Sequence, residues 1–282
     1  MNPAKRNIYI IAAIAFILLI LGIYFLFIFQ KGSKETKNSE TSGEVKELAD
    51  IELTKRPFVT LTPTSNGAEI IISIENMSDF DRIEYELTYL ADNPQVTGDK
   101  IQRGATGTDV NTKDQKYKKS ILLGTASKGI SSPDKGITDG KLTMHMFKGD
   151  TEYQSETDWN LFQVGARTAM LKDLAGNFQL EVGGFDKDYW VILADTIGLP
   201  PSPGFDPKLA GLPIYGTFSI APAFIKGANL TVKASEAQNP QLYSYNHTDS
   251  KWQKLDAKYD SSLKTISAEV NSFATFVVVS SK

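Results

Sequence analysis

The sequence predicts a mainly β protein in which one N-terminal transmembrane helix is followed by two β-sandwich domains. Three observations predict this architecture. Residues 8–29 form an apolar run without a charge, of the length that crosses a bilayer. From residue 56 onward, apolar and polar residues alternate with a period of two, and turn-forming residues separate the alternating segments. Hardly any segment beyond the apolar run has the period of an amphipathic helix.

The apolar run at residues 8–29 is predicted to be an uncleaved signal anchor. A helix of this length covers about 33 Å, enough for a hydrocarbon core of about 30 Å. A cleaved signal peptide is the alternative, because Lys5 and Arg6 precede the run. Such peptides have shorter apolar regions that end in small residues, whereas this run ends in Phe27, Ile28 and Phe29. The chain has no cysteine through which a lipid could be attached. We therefore expect a single-pass protein that contacts the lipid bilayer through residues 8–29.

The numbers of positive charges on the two sides of this run are nearly equal, so they do not decide its orientation. Lys5 and Arg6 precede it, and three lysines follow it closely. A short head remains in the cytoplasm easily, and long C-terminal domains translocate largely regardless of their charge. The prediction is a cytoplasmic head at residues 1–7, with the C-terminal domains outside the cell membrane.

Residues 30–52 are predicted to be a flexible tether. The segment is polar and charged and has no apolar face. A short juxtamembrane helix over residues 44–52 is the alternative, because Glu44, Lys46 and Glu47 are good helix formers.

Residues 53–164 are predicted to form the first sandwich. In residues 82–90, every second position is apolar, which indicates an antiparallel strand with one buried face. Trp159 and Phe162 are predicted to be core aromatics. The predicted strands lie at residues 58–61, 68–74, 82–90, 119–123, 141–147 and 155–164. Short strands without recurring helices are typical of an immunoglobulin-like or fibronectin-like sandwich, which this part of the chain resembles.

Residues 165–282 are predicted to form the second sandwich. Strands are expected at 178–182, 188–195 and 214–220. In 188–195 both alternating sets are apolar, which favours a strand buried on both faces. The proline-rich stretch at 198–213 must be a loop, because proline cannot donate to a strand ladder. A domain linker is possible, but the strands before it are too few to close a core, so we expect a loop within one domain.

The C-terminal strands carry a family resemblance. Aromatic and apolar residues at 229–232, 241–246, 251–255 and 266–278 have the spacing of ZU5-like bacterial cell-surface β-sandwich modules. In those modules a late strand ends in the pattern H-F-S-x-F-A. Here residues 272–277 read S-F-A-T-F-V, without the His and the Ser, so the resemblance rests on spacing and aromatic residues. It implies a fold and a surface setting, but it implies no ligand.

The sequence predicts no catalytic, cofactor-binding or metal-binding residue. Its two histidines are His145, in a predicted strand, and His247, in a predicted turn. Without cysteines they make a zinc site improbable, and no nucleophile elbow or phosphate-binding loop occurs. Two acid pairs could offer oxygens to calcium, but acidic turns are ordinary at strand ends. They are Asp79 with Asp81 and Asp186 with Asp188.

Aromatic residues and charge bear on the partner. Tyr189, Trp190 and Trp252 could form a sugar-stacking platform, although alternation favours core positions for them. The net charge of −3, spread without a block, disfavours nucleic acid. We predict a non-catalytic, membrane-anchored bacterial envelope protein that displays its sandwiches for binding, adhesion or spacing. Its partner outside the cell would be a protein or a glycan. The alternative is an accessory subunit of a membrane complex, such as a secretion, sensing or pilus-like assembly.

Overall fold

The computed structural model describes residues 45–281. The predicted head (1–7), transmembrane helix (8–29) and first part of the tether (30–44) lie outside the described residues. Within 45–281, no helix is long and apolar enough to cross a membrane. The helices described there are short 3₁₀ helices at Leu48–Asp50, Leu53–Lys55 and Pro207–Leu209.

Strands dominate the described residues, so the prediction of a mainly β fold is confirmed. The strands are β1 (Val45–Glu47), β2 (Phe58–Pro63), β3 (Glu69–Glu75), β4 (Arg82–Asp92), β5 (Lys100–Val110), β6 (Lys116–Leu122), β7 (Gly124–Ser127), β8 (Ile130–Pro133), β9 (Thr138–Lys148), β10 (Thr151–Val164), β11 (Ala169–Lys172), β12 (Phe178–Val182), β13 (Tyr189–Thr196), β14 (Ile214–Ser219), β15 (Ala228–Lys233), β16 (Gln241–Asn246), β17 (Lys251–Lys254), β18 (Ala257–Asp260), β19 (Thr265–Val270) and β20 (Thr275–Val279).

These strands form one large sheet and three smaller ones. The ten-stranded sheet has the order β17-β16-β20-β14-β13-β10-β9-β4-β5, with β1 paired to β10 beside this path. A five-stranded sheet has the order β11-β12-β15-β19-β18, a three-stranded sheet the order β2-β3-β6, and β7 pairs with β8. Among the described strands, β1 runs parallel to its neighbour β10. The other pairs are antiparallel, as the alternation predicts.

The first hydrophobic core lies between the three-stranded sheet and one face of the large sheet. Ile83, Tyr85, Leu87 and Tyr89 on β4 are all buried in it, which confirms the predicted one-sided strand. Trp159 is also buried there, with 1% of its surface exposed. Phe162, the other predicted core aromatic of β10, is only partly buried and packs against the second core. Side chains alternate between the two faces along a strand, so Phe162 and Trp159 face opposite sides of the sheet.

The second core lies under the five-stranded sheet, and β13 contributes to both cores. Val191 and Leu193 belong to the second core, whereas Ile192 and Ala194 belong to the first. This confirms the prediction that the strand is buried on both faces. Because β13 pairs with β10, the large sheet runs without a break across the predicted boundary between residues 164 and 165.

The described part of the predicted tether is packed onto the sheet. At residues 45–52 the structure has β1 and a 3₁₀ helix, in place of either the flexible segment or the longer helix considered above. Leu48 is 5% exposed and belongs to the first core, and Ile51 packs against it. Arg56 fixes the same segment by donating from Nε to the carbonyl oxygen of Ile51 at 2.8 Å. Apolar burial therefore orders this polar stretch.

The proline-rich stretch is a loop within the unit, as predicted, because it joins the paired strands β13 and β14. It is not exposed along its whole length. Leu199 is buried with Val277 and Val279 of β20 in a third apolar cluster, and Phe205 and Leu209 pack against it. The loop therefore covers a part of the large sheet on which none of the other described sheets packs.

Candidate binding cleft

A cleft of about 510 Å³ lies between the β16–β17 hairpin and the segment that joins β19 to β20. Its volume falls within the range typical of small-molecule sites. Two aromatic residues, Trp252 and Phe276, line it, but the indole of Trp252 packs on the opposite face of the sheet, against the proline-rich loop. The polar or charged lining includes the half-buried Asn246 and the exposed Asp249, Lys251, Gln253, Glu269 and Asn271.

Strand register brings the two sides of the cleft together. β16 pairs with β17 on one side and with β20 on the other. Asn246 shapes the hairpin turn, since its Oδ1 accepts hydrogen bonds from the backbone N–H groups of Thr248 (2.8 Å) and Asp249 (3.2 Å). This side-chain-to-backbone turn places Asp249 and Lys251 at the rim of the cleft.

Trp252 is held in position from behind. Its Nε1–H donates to the carbonyl oxygen of Pro201 at 3.1 Å. Phe205 meets it edge to face at a centroid distance of 5.1 Å, and Tyr245 lies at 5.4 Å. The proline-rich loop thus satisfies the polar atom of the indole and fixes the partly exposed ring on the face of the sheet opposite the cleft.

The other residues of the considered sugar platform lie elsewhere. Trp190 packs on the β2–β3 turn, where a Cβ at Gly67 would stand 2.5 Å from the indole. Tyr189 meets Phe185 at 5.4 Å in the aromatic part of the second core. The structure therefore does not bring these residues together with Trp252.

Several polar side chains of the cleft have no hydrogen-bond partner among the described residues. Within residues 45–281, the side chains of Gln253, Glu269 and Asn271 make no hydrogen bond or ion pair. All three are exposed. Amide groups both donate and accept hydrogen bonds, and carboxylates accept them. The cleft can therefore bond a ligand that carries both kinds of group.

His247 adjoins the cleft along the chain but faces inward. Its ring is stacked 6.1 Å from that of Phe58 and lies 5.2 Å from that of Phe218, and its Nε2 is 3.3 Å from Thr275 Oγ1. Burial lowers the pKa of His247 from 6.5 to about 4, and the charge of Lys116 acts in the same direction. The imidazole is therefore neutral at pH 7.

His145 is separated from His247 by β10, β13, β14 and β20 in the large sheet. Its Nδ1 lies 2.7 Å from Glu152 Oε1 on the neighbouring strand. The two histidines therefore share no site.

The acid pairs also remain apart from the cleft. Asp81 accepts a hydrogen bond from the backbone N–H of Gly149 at 2.7 Å, and Asp186 accepts one from the hydroxyl of Tyr189 at 3.5 Å. In the part of the chain that the structure describes, no group of three or more His, Cys, Asp or Glu residues could hold a metal ion.

Sequence reasoning missed one unusual carboxyl group, that of Asp195 on β13. Burial, followed by repulsion from Asp173 and Asp158, raises the pKa of Asp195 from 3.8 to about 7. Tyr215, its cross-strand partner on β14, donates to Asp173 at 3.4 Å. The available signal was an aspartate at the end of an otherwise apolar strand, Tyr189–Thr196.

Comparison with known proteins identifies no family. The chain matches no protein-family model, and no curated protein matches it. The resemblances of residues 53–164 to immunoglobulin-like sandwiches and of residues 165–282 to ZU5-like modules therefore stay predictions. A function for this chain has to be inferred from the cleft and its surroundings.

Proposed function

We propose that this chain is a non-catalytic protein of a bacterial cell envelope that binds a ligand outside the cell. Residues 8–29 would hold it at the cell membrane as a single-pass anchor, with the N-terminus in the cytoplasm. The β-rich unit would then present its cleft to the partner, a protein or a glycan. The observation that carries this proposal is the cleft itself, lined by the side chains of Gln253, Glu269 and Asn271, which have no hydrogen-bond partner within residues 45–281.

Strand register places the cleft relative to the first described residues of the chain. The chain enters the described unit at Val45, which pairs with Glu152 near the start of β10. Following the cross-strand pairs from β16 to β10 puts Tyr245 level with Trp159. The hairpin turn after Tyr245 therefore lies toward the end of the strands at which β10 finishes. Val45 and the cleft therefore lie toward opposite ends of the strands of the large sheet.

The arrangement of the second core supports the proposed sandwich at residues 165–282. Side chains from the five-stranded sheet and from β13, β14, β16 and β20 interdigitate in one apolar layer. A ZU5-like surface module is the fold proposal that the C-terminal strand spacing supports.

The proposal is tested with the full chain in bacterial cells. We expect it in the membrane fraction after a high-salt wash, and we expect added protease to digest it in intact spheroplasts. Purified in nanodiscs, it should sediment with isolated envelope material, and a Gln253→Ala, Asn271→Ala double variant should sediment less. A chain that is soluble after lysis, or is protected from protease, would overturn the proposal.

One observation favours a second candidate function, the accessory subunit of a membrane complex. The β14–β15 loop exposes two large apolar side chains, with Ile220 50% exposed and Ile225 80% exposed. Exposed apolar groups on one loop are typical of protein contacts. In that case Ile225→Ser would abolish the comigration of the full chain with a larger complex in native gels of membrane extracts. The Gln253→Ala variant would leave it unchanged.

A further inference from the structure

Three exposed leucines lie at the same end of the second core. Leu174 is 71% exposed, Leu212 is 62% exposed and Leu263 is 70% exposed. We infer that this surface, which we call the leucine end, binds the head-group region of a phospholipid bilayer. The inference rests on the proposed membrane anchorage, and it adds a lipid contact made by the β-rich unit itself.

Strand register brings two of these leucines to one end of the five-stranded sheet. Leu174 lies in the turn between β11 and β12, and Leu263 lies in the turn between β18 and β19. Phe178 pairs with Val232, which pairs with Ile266, so both turns extend from the same end. Three strand spacings separate the midpoints of the two turns in this sheet, a distance of about 14 Å.

The third leucine reaches this end from the large sheet. Leu212 lines a cavity of about 240 Å³ together with Asn177 of the β11–β12 turn and Ala234, which follows β15. β14 runs in the same direction as β10, because each is antiparallel to β13. Leu212, just before β14, therefore lies toward the end at which β10 starts and at which Val45 pairs with Glu152.

The start of the described chain is thus at the leucine end. Residues 30–44 alone separate Val45 from the proposed anchor at residues 8–29. A flexible chain of this length has a root-mean-square reach of about 20 Å. Anchoring would therefore give lipid a high effective concentration at the leucine end, as for any binding site that a short chain links to its ligand.

Three lysines accompany the leucines. Lys172 ends β11, Lys233 ends β15, and Lys264 lies in the β18–β19 turn, and all three are exposed. Within residues 45–281, no hydrogen bond or ion pair joins their ammonium groups to another residue. An ammonium group without an internal partner is free to bind the phosphate of a lipid head group.

The carboxylates at this end are mostly engaged within the protein. Asp173 accepts hydrogen bonds from the backbone N–H of Phe178 at 2.8 Å and from the hydroxyl of Tyr215 at 3.4 Å. Asp260 accepts hydrogen bonds from two backbone N–H groups of the β18–β19 turn. Glu236 is exposed and lines the cavity beside Leu212. The lysines thus have more freedom to bind a ligand than most of the neighbouring acids.

The mixture of residues favours lipid over a protein partner. The centres of protein interfaces are depleted of lysine. Membrane-surface segments combine leucine with lysine, because the apolar tips enter the acyl boundary while the ammonium groups remain among the phosphates. The three leucines also lie on three separate loops, whereas a second copy of the chain would need a continuous apolar patch to cover.

The test uses the full chain in nanodiscs with one fluorescent label at a time. The chain has no cysteine, so Leu174→Cys and Leu263→Cys each provide a unique thiol for a nitrobenzoxadiazole label. Ile225→Cys is the matched control, because this residue is 80% exposed in the β14–β15 loop, at the opposite end of β14 from Leu212. Lipids with a nitroxide near the head group quench a label that contacts the bilayer. Nanodiscs of phosphatidylcholine are compared with nanodiscs that also contain phosphatidylglycerol.

We expect the labels at residues 174 and 263 to shift to shorter emission wavelengths and to be quenched, and the label at residue 225 to do neither. Each lysine near an anionic surface is worth about fivefold in a binding equilibrium, so replacing all three should weaken the contact by up to about 100-fold in phosphatidylglycerol nanodiscs. This variant is Lys172→Gln, Lys233→Gln, Lys264→Gln.

A second triple variant controls for the loss of charge. It replaces exposed lysines outside the leucine end, and it should change the contact by less than about twofold, because salt screens distant charges. Its substitutions are Lys128→Gln, Lys135→Gln and Lys226→Gln. Far-UV circular dichroism and thermal melting show that the variants are folded.

Four results would overturn the inference, and they can be told apart. If the labels at residues 174 and 263 are quenched no more than the label at residue 225, the leucine end does not contact lipid, although the anchorage stands. If they are shielded from water without quenching, and only when two chains share a nanodisc, a second copy covers them. If both triple variants have equal effects, the lysines do not bind the head groups. If the chain does not enter nanodiscs, the proposed anchorage fails and this inference fails with it.

Discussion

Replacing Asp195 with asparagine should stabilise the protein at neutral and alkaline pH. The carboxyl group lies on the strand shared by both cores, and burial together with Asp173 and Asp158 raises its pKa from 3.8 to about 7. Between these two values the folded protein holds a proton that the unfolded chain has released. The free energy of unfolding therefore falls as the pH rises through this window. Asparagine has a similar shape and does not titrate, so the variant avoids this loss.

The shift in pKa sets the magnitude. It corresponds to at most about 4 kcal/mol of lost stability above pH 7. Asp195 is partly exposed, and water screens some of the effect, so we expect a gain of about 2 kcal/mol for Asp195→Asn at pH 8. At pH 4 the wild-type carboxyl is nearly all protonated in the folded state, and the gain should largely vanish.

Denaturant unfolding of the full chain in nanodiscs measures this difference at pH 4, 6 and 8. Tryptophan fluorescence reports on the described unit, because all three tryptophans lie in it, and Trp159 is buried in its first core. Asp256→Asn, at an exposed position, is the matched control and should change stability by less than about 0.5 kcal/mol at each pH. If the free energy of unfolding of Asp195→Asn exceeds that of the wild type by the same amount at pH 4 and pH 8, the reasoning is refuted.

Three further predictions concern packing and protonation. His247 is protonated near pH 6.5 in the unfolded chain but only near pH 4 in the folded protein. The free energy of unfolding of the wild type therefore falls by up to about 3 kcal/mol as the pH falls between these values. His247→Phe should remove that loss in unfolding curves at pH 7 and 4.5, and equal acid sensitivity of both proteins would contradict it. Leu48→Ala should lower the free energy of unfolding by about 2–4 kcal/mol in the same assay, and an unchanged midpoint would mean that this segment does not pack in solution. Gly67 and Gly98 both have positive φ, at 68° and 88°, but only a Cβ at Gly67 would meet Trp190. Gly67→Ala should therefore lower the melting temperature more than Gly98→Ala, and equal effects would show that the Trp190 contact is unimportant.

Alternation along the chain was enough to predict strands whose two faces differ. β4 is the clearest case, because four buried residues alternate with polar ones. β5 was missed because it is an edge strand with little burial and two glycines. One of these, Gly107, is required by its neighbour, since a Cβ there would lie 2.2 Å from the ring of Tyr85. Such a requirement depends on cross-strand register, which alternation within one strand does not specify.

The cleft could not be predicted for a related reason. The C-terminal resemblance implied a strand that contains Phe276, but not how that strand is paired. Whether Trp252 joins a core or lines a surface depends on Pro201, which lies in a distant loop. The inward position of His247 likewise depends on Phe58, at the other end of the described chain. Contacts between residues far apart in the sequence therefore determine where the side chains of Trp252 and His247 lie.

The position of β20 has a consequence for biogenesis. This strand lies between β14 and β16 in the large sheet, although the chain makes it after all its neighbours. Until residues 275–279 emerge from the ribosome, and from the translocation channel if the unit is exported, β14 and β16 each present an unpaired edge. Folding of this half must therefore wait until β20 has emerged, and the nascent chain needs protection from aggregation in the interval.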